Sequence, residues 1–244
     1  MKIILKPFYL LLRVWFYLML GLPLIIFFPI LFFLTLKEKW YPYFYKSARI
    51  WATFVMYASG FFPLRKNGVF HKKGKSFMFV ANHVSMLDIL LMFYTVKNPL
   101  VFVGKKELVK IPVFGFFFKQ TCIMVDRNSK ESRRDVFKQA EHKIAQGYSI
   151  CIFPEGGVPE DETLLLDEFK DGAFRLAINH QLPVISLVFP DNKKRFSYSF
   201  FSGSLGKSRS YILAATPVKG LSLNKKAELK NKVRNQILEK LQQF

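Results

Sequence analysis

Cysteine and histidine are scarce: this chain of 244 residues contains two cysteines and four histidines. Cys122 and Cys151 each lie inside an apolar, strand-like segment, so we expect small buried core residues rather than a disulfide framework or a nucleophile. The histidines are scattered with no cysteine near them, and their spacing is not that of a metal site. The sequence therefore gives no reason to expect a bound metal.

Acidic residues are also few: 17 Asp and Glu stand against 37 Lys and Arg, for a formal net charge of +20. The hydrophobic share is nevertheless 51%, and the chain contains 28 Phe. This combination suits a protein that rests on an anionic lipid surface. Nucleic acid is the competing partner for so basic a chain. Because the aromatics lie largely in continuous apolar runs and no zinc-finger or RNA-binding signature occurs, we expect membrane lipids as the partner and no nucleic acid.

Residues 14–36 carry no charge, and at about 1.5 Å of rise per residue this length is enough to cross a bilayer. Pro23 and Pro29 interrupt the run, and each tends to kink a helix. Residues 40–62 are rich in Trp and Tyr, which indicates a helix at the membrane interface. Two geometries stay open: one true span, or a kinked pair of helices that enters a single leaflet. A signal peptide is not expected, because the run is too long and no small-residue cleavage site follows.

From residue 65 onward, short apolar runs alternate with amphipathic ones, which is typical of an α/β fold. We predict a mixed sheet flanked by helices and preceded by an N-terminal apolar two-helix membrane-docking segment, with residues 1–64 as that segment and 65–244 as the catalytic domain. The predicted strands are residues 77–81, 100–103, 121–125, 149–153 and 183–189, followed by a hairpin of 196–201 and 210–216. Helices are predicted at 88–96, at 169–179 and after the capping-box spacing at 128–131. Residues 224–244 are predicted as a basic amphipathic helix that either packs on the domain or lies on anionic lipid.

The most informative stretch places Asn82 and His83 directly after the apolar run 77–81, with His83 five positions before Asp88. A strand that ends there and turns into a helix would leave the histidine exposed at the sheet edge. Asp88 could then accept a hydrogen bond from the imidazole and fix its tautomer, so that the far ring nitrogen can take a proton from a substrate hydroxyl. The alternative is structural: His83 caps the helix and Asp88 is solvated.

Three further blocks follow this His-x4-Asp pair in order. The first runs from Lys105 to Arg127, the second is Phe153-Pro154-Glu155-Gly156-Gly157, and the third is Leu182-Pro183-Val184-Ile185-Ser186. Together with His83 and Asp88 they resemble the glycerolipid acyltransferase family, whose best-known members are 1-acyl-glycerol-3-phosphate (lysophosphatidic acid) acyltransferases. The similarity covers roughly residues 65–220, and the apolar N-terminus is similar to the membrane-docking helices of bacterial members.

The resemblance implies a role for each site residue. His83 is the general base and Asp88 orients it, while Arg127 is associated with the phosphate of the acceptor through its guanidinium fork. Lys105 is a further phosphate candidate, and Glu155 is assigned to acceptor binding. The acyl donor is acyl-acyl-carrier protein or acyl-CoA as a co-substrate. Because the thioester is already activated, the resemblance implies neither a cofactor nor a metal.

The loop after Glu155 departs from the family pattern. Gly156 lets the backbone approach a ligand closely, but the family usually carries Thr or Ser next, often followed by a basic residue. This chain has Gly157 and Val158 instead, and then acidic residues at 160–162. One interpretation is an ordinary solvated loop. The other is that negative charge near the acceptor site disfavours a phosphate monoester and admits a different headgroup.

The sequence thus predicts a membrane-bound O-acyltransferase of phospholipid biosynthesis. It would move a fatty acyl group to the sn-2 hydroxyl of 1-acyl-glycerol-3-phosphate and give phosphatidic acid, on the cytoplasmic face of the inner membrane. An acyltransferase for another lyso-lipid, either a lysophospholipid or a lyso-aminolipid, is the alternative within the enzyme class. A non-catalytic membrane protein that binds lipid is the alternative outside it.

Overall fold

The computed structural model describes residues 6–72, 74–126, 129–159, 161 and 163–244, and only the backbone of Lys130 and Arg133. Nine α-helices and seven strands lie in these residues. The helices are α1 (Lys6–Ile26), α2 (Phe28–Thr35), α3 (Tyr41–Ala58), α4 (Leu87–Thr95), α5 (Phe114–Thr121), α6 (Lys130–Ala145), α7 (Gly172–Asn179), α8 (Asn192–Arg195) and α9 (Lys226–Leu241). The strands are β1 (Phe61–Arg65), β2 (Met78–Ala81), β3 (Leu100–Lys105), β4 (Ile123–Val125), β5 (Ser149–Ile152), β6 (Val184–Val188) and β7 (Gly206–Ile212). The predicted α/β class is confirmed.

The chain divides into two compact units. The first unit combines the chain up to Val69 with Val84–Lys97 and Phe189–Ser210, and the second unit combines Phe70–His83, Asn98–Val188 and Tyr211–Phe244. The docking segment predicted at residues 1–64 belongs to the first unit. Its proposed boundary with a catalytic domain at residue 65 is a functional division and stays a prediction.

The second unit is built on parallel strands in the order β6-β2-β5-β3-β4. Every residue of β2 and β6 is buried, which explains why both read in the sequence as uninterrupted apolar runs. The end of β7 pairs antiparallel with β6, so the prediction of a mixed sheet is confirmed. Because β2, β5 and β3 are parallel neighbours, the residues that follow them meet at one carboxyl edge, where α/β proteins commonly bind ligands.

In the first unit, β1 pairs in parallel with the start of β7, from Phe61 opposite Gly206 to Arg65 opposite Ser210. Pro63 lies in β1. Proline removes a backbone donor and is tolerated at a sheet edge, and β1 has β7 as its one partner among the described strands. The sequence prediction missed β1, because it assigned Phe61 and Phe62 to the end of an interfacial helix and no element to the residues that follow.

The charge-free N-terminal run forms two helices rather than one. Helix α1 contains Pro23 and ends at Ile26, and α2 begins with Pro29 in its first turn, a position that proline favours. Among the described helices, α1 is the one whose length and apolar character would let it cross a membrane. Large apolar side chains remain exposed along α1, α2 and α3, among them Leu11, Ile26, Ile30, Phe33 and Ile50.

The predicted hairpin is wrong in its first strand. Residues 196–201 form a turn in which Ser197 and Ser202 share a hydroxyl–hydroxyl bond of 2.5 Å and Ser202 donates to the carbonyl of Ser199. Serine hydroxyls that bond locally offer the backbone an alternative to a strand ladder. The buried guanidinium of Arg13 on α1 donates to three carbonyls of this segment, those of Ser197, Ser199 and Phe200. The turn is therefore held on α1.

Helix α9 packs within the second unit through its apolar stripe. Leu229, Val233, Ile237 and Leu241 are all buried, which confirms the packing interpretation of residues 224–244. Lys226 and Lys230 bind Asp171 at 2.6 and 2.8 Å, and these bonds lower the pKa of that carboxyl.

Both cysteines are free thiols. Cys151 is buried on β5, and burial raises its pKa well above the ordinary value. Burial raises the pKa of Cys122 to about 12. Because the thiolate is the reactive form, these values agree with the expected structural role.

Candidate active site

His83 lies just past the carboxyl end of β2, beside the segment that follows β5. Its imidazole stacks on the ring of Phe153, with centroids 4.2 Å apart and planes 21° from parallel. Phe102 of β3 lies parallel to Phe153 in turn, with centroids 6.4 Å apart. The imidazole is only partly buried. This aromatic stack limits the orientation of the ring and leaves part of it open to a ligand.

Glu155 holds the backbone of His83. Its carboxylate is 4% exposed, and Oε1 accepts the backbone N–H of His83 at 2.6 Å. Oε2 accepts the backbone N–H of Asp167 at 3.0 Å. Hydrogen bonds to an ionised acceptor are shorter and stronger than neutral ones. The carboxylate therefore joins the histidine loop to the loop that leads into α7, and its predicted acceptor-binding role stays a prediction.

Because Glu155 accepts two backbone hydrogen bonds, Glu155→Gln tests whether this carboxylate positions His83. A glutamine presents an NH₂ group to one of two N–H donors, so one bond becomes a donor–donor contact. Loss of one charge-assisted bond costs about 1.5–3 kcal/mol, which equals roughly 10- to 100-fold in rate where the bond positions the base. We expect kcat for acyl transfer to fall by that factor while the KM for the acceptor changes little. Initial-rate kinetics across acceptor concentrations measure both constants.

The matched control for Glu155→Gln is Glu168→Gln, which makes the same change at an exposed glutamate of the neighbouring loop. This control should keep wild-type constants. A rise in acceptor KM at unchanged kcat in Glu155→Gln would instead support the acceptor-binding role and contradict positioning.

Asp88 lies in the first turn of α4 and is completely buried. Its Oδ2 accepts the backbone N–H groups of Val84 and Ser85 at 2.7 and 2.8 Å. Its Oδ1 accepts Nδ2 of Asn192 at 2.8 Å. The interpretation of Asp88 as a solvated side chain is therefore wrong. The carboxylate fixes the turn that directly follows His83 in the chain, at a helix N-terminus that favours negative charge.

Ser85 reinforces the same turn. Its hydroxyl is fully buried and donates to the carbonyl of Phe196 at 2.5 Å, while it accepts the N–H of Leu87 at 3.1 Å. The backbone N–H of Asp88 donates to the carbonyl of Ser85 at 3.2 Å. The short segment between His83 and α4 is thus held by bonds from both its backbone and its side chains.

The other predicted site residues lie in different settings. Gly156 has a φ of +80°, in the left-handed region that favours glycine, and a Cβ added there would lie 2.7 Å from Nζ of Lys170. Lys105 is exposed at the end of β3, on the same carboxyl edge as β2 and β5. Arg127 lies outside the described residues, as do Glu160 and Glu162 of the acidic loop. The roles assigned to these residues stay predictions.

Sequence reasoning missed Asn192 and the pair formed by Asp191 and Arg209. Nε and Nη2 of Arg209 donate to the two carboxylate oxygens of Asp191 at 2.7 and 2.6 Å, and the backbone N–H of Arg209 adds a third bond at 2.8 Å. Burial acts to raise the pKa of Asp191, but the bonds and charge of Arg209 prevail and lower it. No pattern in the sequence marks these residues, because their partners are distant along the chain.

Comparison with known proteins decides the family. The model of the family described as Acyltransferase matches residues 64–190, which is more than half of the chain. The chain belongs to the acyltransferase family. The predicted resemblance is confirmed, and the matched segment contains His83, Asp88, Lys105, Arg127 and Glu155.

Curated relatives agree with this placement. A 1-acyl-sn-glycerol-3-phosphate acyltransferase of Haemophilus influenzae is 34% identical over 113 residues, which are 46% of each chain. One of Helicobacter pylori is 30% identical over 151 residues, which are 62% of each chain. The chain thus matches about half to three fifths of the length of these relatives. The crystal structure of the 1-acyl-sn-glycerophosphate acyltransferase PlsC from Thermotoga maritima has a TM-score of 0.77 at 21% identity, covering 98% of this chain and 97% of that one. It shares the fold.

Proposed function

We propose that this chain moves a fatty acyl group from a thioester to the sn-2 hydroxyl of 1-acyl-glycerol-3-phosphate and forms phosphatidic acid. The observation that carries the proposal is His83, held by Glu155 and Phe153 at the carboxyl edge of the sheet in a chain of the acyltransferase family. The names of the curated relatives support this choice of acceptor.

In the proposed reaction, His83 acts as the general base. The imidazole takes the proton of the acceptor hydroxyl, and the oxygen attacks the thioester carbonyl. The tetrahedral intermediate collapses, the carbon–sulfur bond breaks, and the imidazolium returns the proton to the leaving thiolate. The products are an ester and a free thiol. Asp88 is the proposed orienting carboxylate, a role that suits a fully buried group held by hydrogen bonds. The thioester is already activated, so the reaction requires no cofactor or metal.

The acceptor's phosphate is the proposed ligand of Arg127, with Lys105 as a second candidate at the strand edge. The donor is acyl-acyl-carrier protein or acyl-CoA, and a chain of net charge +20 attracts both acidic partners. The loop that replaces the family's hydroxyl residue with Gly157 favours a second candidate function, in which the acceptor is another lysophospholipid or a lyso-aminolipid. The same catalytic pair would serve either acceptor.

An acceptor panel separates these two functions. The purified chain is given an acyl thioester with 1-acyl-glycerol-3-phosphate, a zwitterionic lysophospholipid or a lyso-aminolipid, and kcat/KM is measured for each. Preference for the phosphate monoester supports the first function. In that case Arg127→Ala should raise the KM for this acceptor more than for the zwitterionic one, and an equal rise would exclude the phosphate role of Arg127.

We also propose that the chain is membrane-associated, on the cytoplasmic face of the inner membrane. The exposed apolar side chains of α1, α2 and α3 support this proposal. The turn at residues 196–205 adds to them, since Phe200 and Phe201 are about half exposed. Lys6 on α1 lies 5.3 Å from the ring centroid of Phe201, and Arg13 lies 5.1 Å from that of Phe200. Aromatic rings flanked by basic groups suit the headgroup region of an anionic bilayer.

We predict that the turn at residues 196–205, which contains Phe200 and Phe201, contacts lipid. Phe201→Cys, labelled with an environment-sensitive fluorophore and reconstituted in vesicles, should show a blue shift and strong quenching by nitroxide-labelled lipids. The native thiols should react little, because burial raises the pKa of both. Glu168→Cys, at an exposed loop position of the second unit, is the matched control and should stay unquenched. Equal quenching at both positions, or none at position 201, would contradict the proposed contact.

A further inference from the structure

Asn192 is a fully buried amide with both ends of its side chain in use. Nδ2 donates to Oδ1 of Asp88 at 2.8 Å, and Oδ1 accepts the hydroxyl of Ser208, which is also fully buried. A carboxylate can only accept, so the NH₂ group must face Asp88 and the carbonyl must face the hydroxyl. Asn192 lies two positions beyond the segment that matches the family model, residues 64–190.

The strand β7 fixes Asn192 from the other side. Ser208, which binds the amide, is followed on β7 by Arg209, which binds Asp191 through three hydrogen bonds. Ser208 and Arg209 of β7 therefore hold Asn192 and Asp191 in place at the start of α8. Ser208 also pairs with Pro63 of β1 in the sheet. These contacts restrict the movement of the Asn192 amide.

We propose that Asn192 is a positioning residue of the acyl-transfer site, which orients the carboxylate of Asp88 and through it the turn that directly follows His83 in the chain. The catalytic part of this statement rests on the proposed function. With Oδ1 bound by Asn192, the carboxylate presents Oδ2 to the N–H groups of Val84 and Ser85. Without the amide, the buried carboxylate loses the hydrogen bond that Nδ2 of Asn192 donates to Oδ1 and is less constrained. The turn next to His83 would then lose its fixed geometry.

The first test removes the amide at nearly constant volume. Asn192→Leu should lower kcat by about 10- to 100-fold, the effect of a lost charge-assisted bond, while the KM values for acceptor and thioester stay within about twofold. Lys194→Gln, an exposed residue of the same short helix, is the control and should keep wild-type constants. A folded Asn192→Leu variant with wild-type kcat would overturn the proposal.

Asn192→Asp gives a pH signature that a merely structural role would not produce. Two carboxylates within hydrogen-bond distance share a proton, so a protonated Asp at this position donates to Asp88 as the amide does. Above the upper pKa of the pair, the donor is lost and the charges repel. We expect the variant to approach wild-type kcat at low pH and to fall by about tenfold between about pH 6 and about pH 9. Wild-type kcat should rise or stay level across this range, as a general base requires.

The other ionisable groups near Asp88 should not produce this signature. Partial burial and the charge of Asp88 raise the pKa of Tyr198 to about 12, so the phenol stays neutral in this range. Asp191 stays ionised through its bonds with Arg209. A variant profile parallel to that of the wild type would overturn the proposal even if Asn192→Leu failed to fold.

Hydrogen–deuterium exchange tests positioning without activity. In Asn192→Leu, exchange of the Val84 and Ser85 amides should accelerate by about tenfold, since loss of about 1.4 kcal/mol of local stability has that effect. Lys194→Gln should leave these amides protected. If the wild type transfers no acyl group to any acceptor, the proposed function fails, and this exchange still decides whether Asn192 positions Asp88. Unchanged exchange would exclude that positioning.

Discussion

Replacing His83 with alanine is expected to lower kcat for acyl transfer by about 10² to 10⁴, the contribution of a positioned general base. The acceptor and thioester should bind with nearly unchanged KM, because the imidazole acts on the hydroxyl proton in the transition state. The backbone N–H of His83 remains available to Glu155 in the variant, so the loop should keep its anchor. Thiol release in the presence of 1-acyl-glycerol-3-phosphate measures the rate.

The control for His83→Ala is His142→Ala, which makes the same change on the exposed face of α6. Its rate should match the wild type, and both variants should have the same thermal midpoint within a few degrees. A His83→Ala variant that kept kcat within about threefold would exclude general-base catalysis by this residue, since a working base contributes far more.

Asp88→Asn is expected to lower kcat by about 10² to 10⁴ as well, the range for loss of a carboxylate that orients a catalytic histidine. The amide has nearly the same shape as the carboxylate, and its oxygen can still accept from Val84 and Ser85. Its NH₂ group would face Nδ2 of Asn192, but Asn192 can reverse its amide because the hydroxyl of Ser208 can donate or accept. The variant therefore removes the charge while most hydrogen bonds persist.

The free energy of unfolding distinguishes the effect of the Asp88 charge from the effect of its hydrogen bonds. Asp88→Asn should lower the free energy of unfolding by less than about 2 kcal/mol. Asp88→Ala should cost about 3–5 kcal/mol, because it leaves three buried N–H donors without an acceptor. Asp135→Asn, at an exposed position of α6, is the control for both measurements. Wild-type kcat in a folded Asp88→Asn variant would contradict the orienting role of the charge.

The strands with the clearest sequence pattern, β2 and β6, are those in which every residue is buried. Runs such as residues 77–81 and 183–189 are short, apolar and bounded by polar or turn residues, and β2 and β6 lie within them. Helix α5 was missed although Phe114, Phe117, Phe118 and Thr121 have helical spacing, because the segment is only eight residues long. The chain also approaches itself closely there: a Cβ at Gly115 would lie 2.0 Å from the carbonyl oxygen of Val109.

The site was predictable where it depends on local spacing. His83 and Asp88 are five positions apart, and Glu155 stands in a recognisable block, so the family motif identifies all three. Their hydrogen-bond partners were not predictable, because the bond from Asn192 to Asp88 spans 104 positions. In the sequence, Asn192 stands in a polar run that reads as a loop. In the folded chain, strand β7 places Ser208 beside Asn192, and Asn192 is completely buried.

The most direct test of the proposed function is acyl transfer by the purified, lipid-reconstituted chain. The chain is supplied with 1-acyl-glycerol-3-phosphate and either acyl-CoA or acyl-acyl-carrier protein, and free thiol and diacyl product are measured together. We predict one phosphatidic acid for each thiol released with at least one donor, and neither product with His83→Ala above about a hundredth of the wild-type rate. Absence of both products with every donor, for this acceptor and for the other lyso-lipids of the panel, would contradict the assignment of the chain as an acyltransferase.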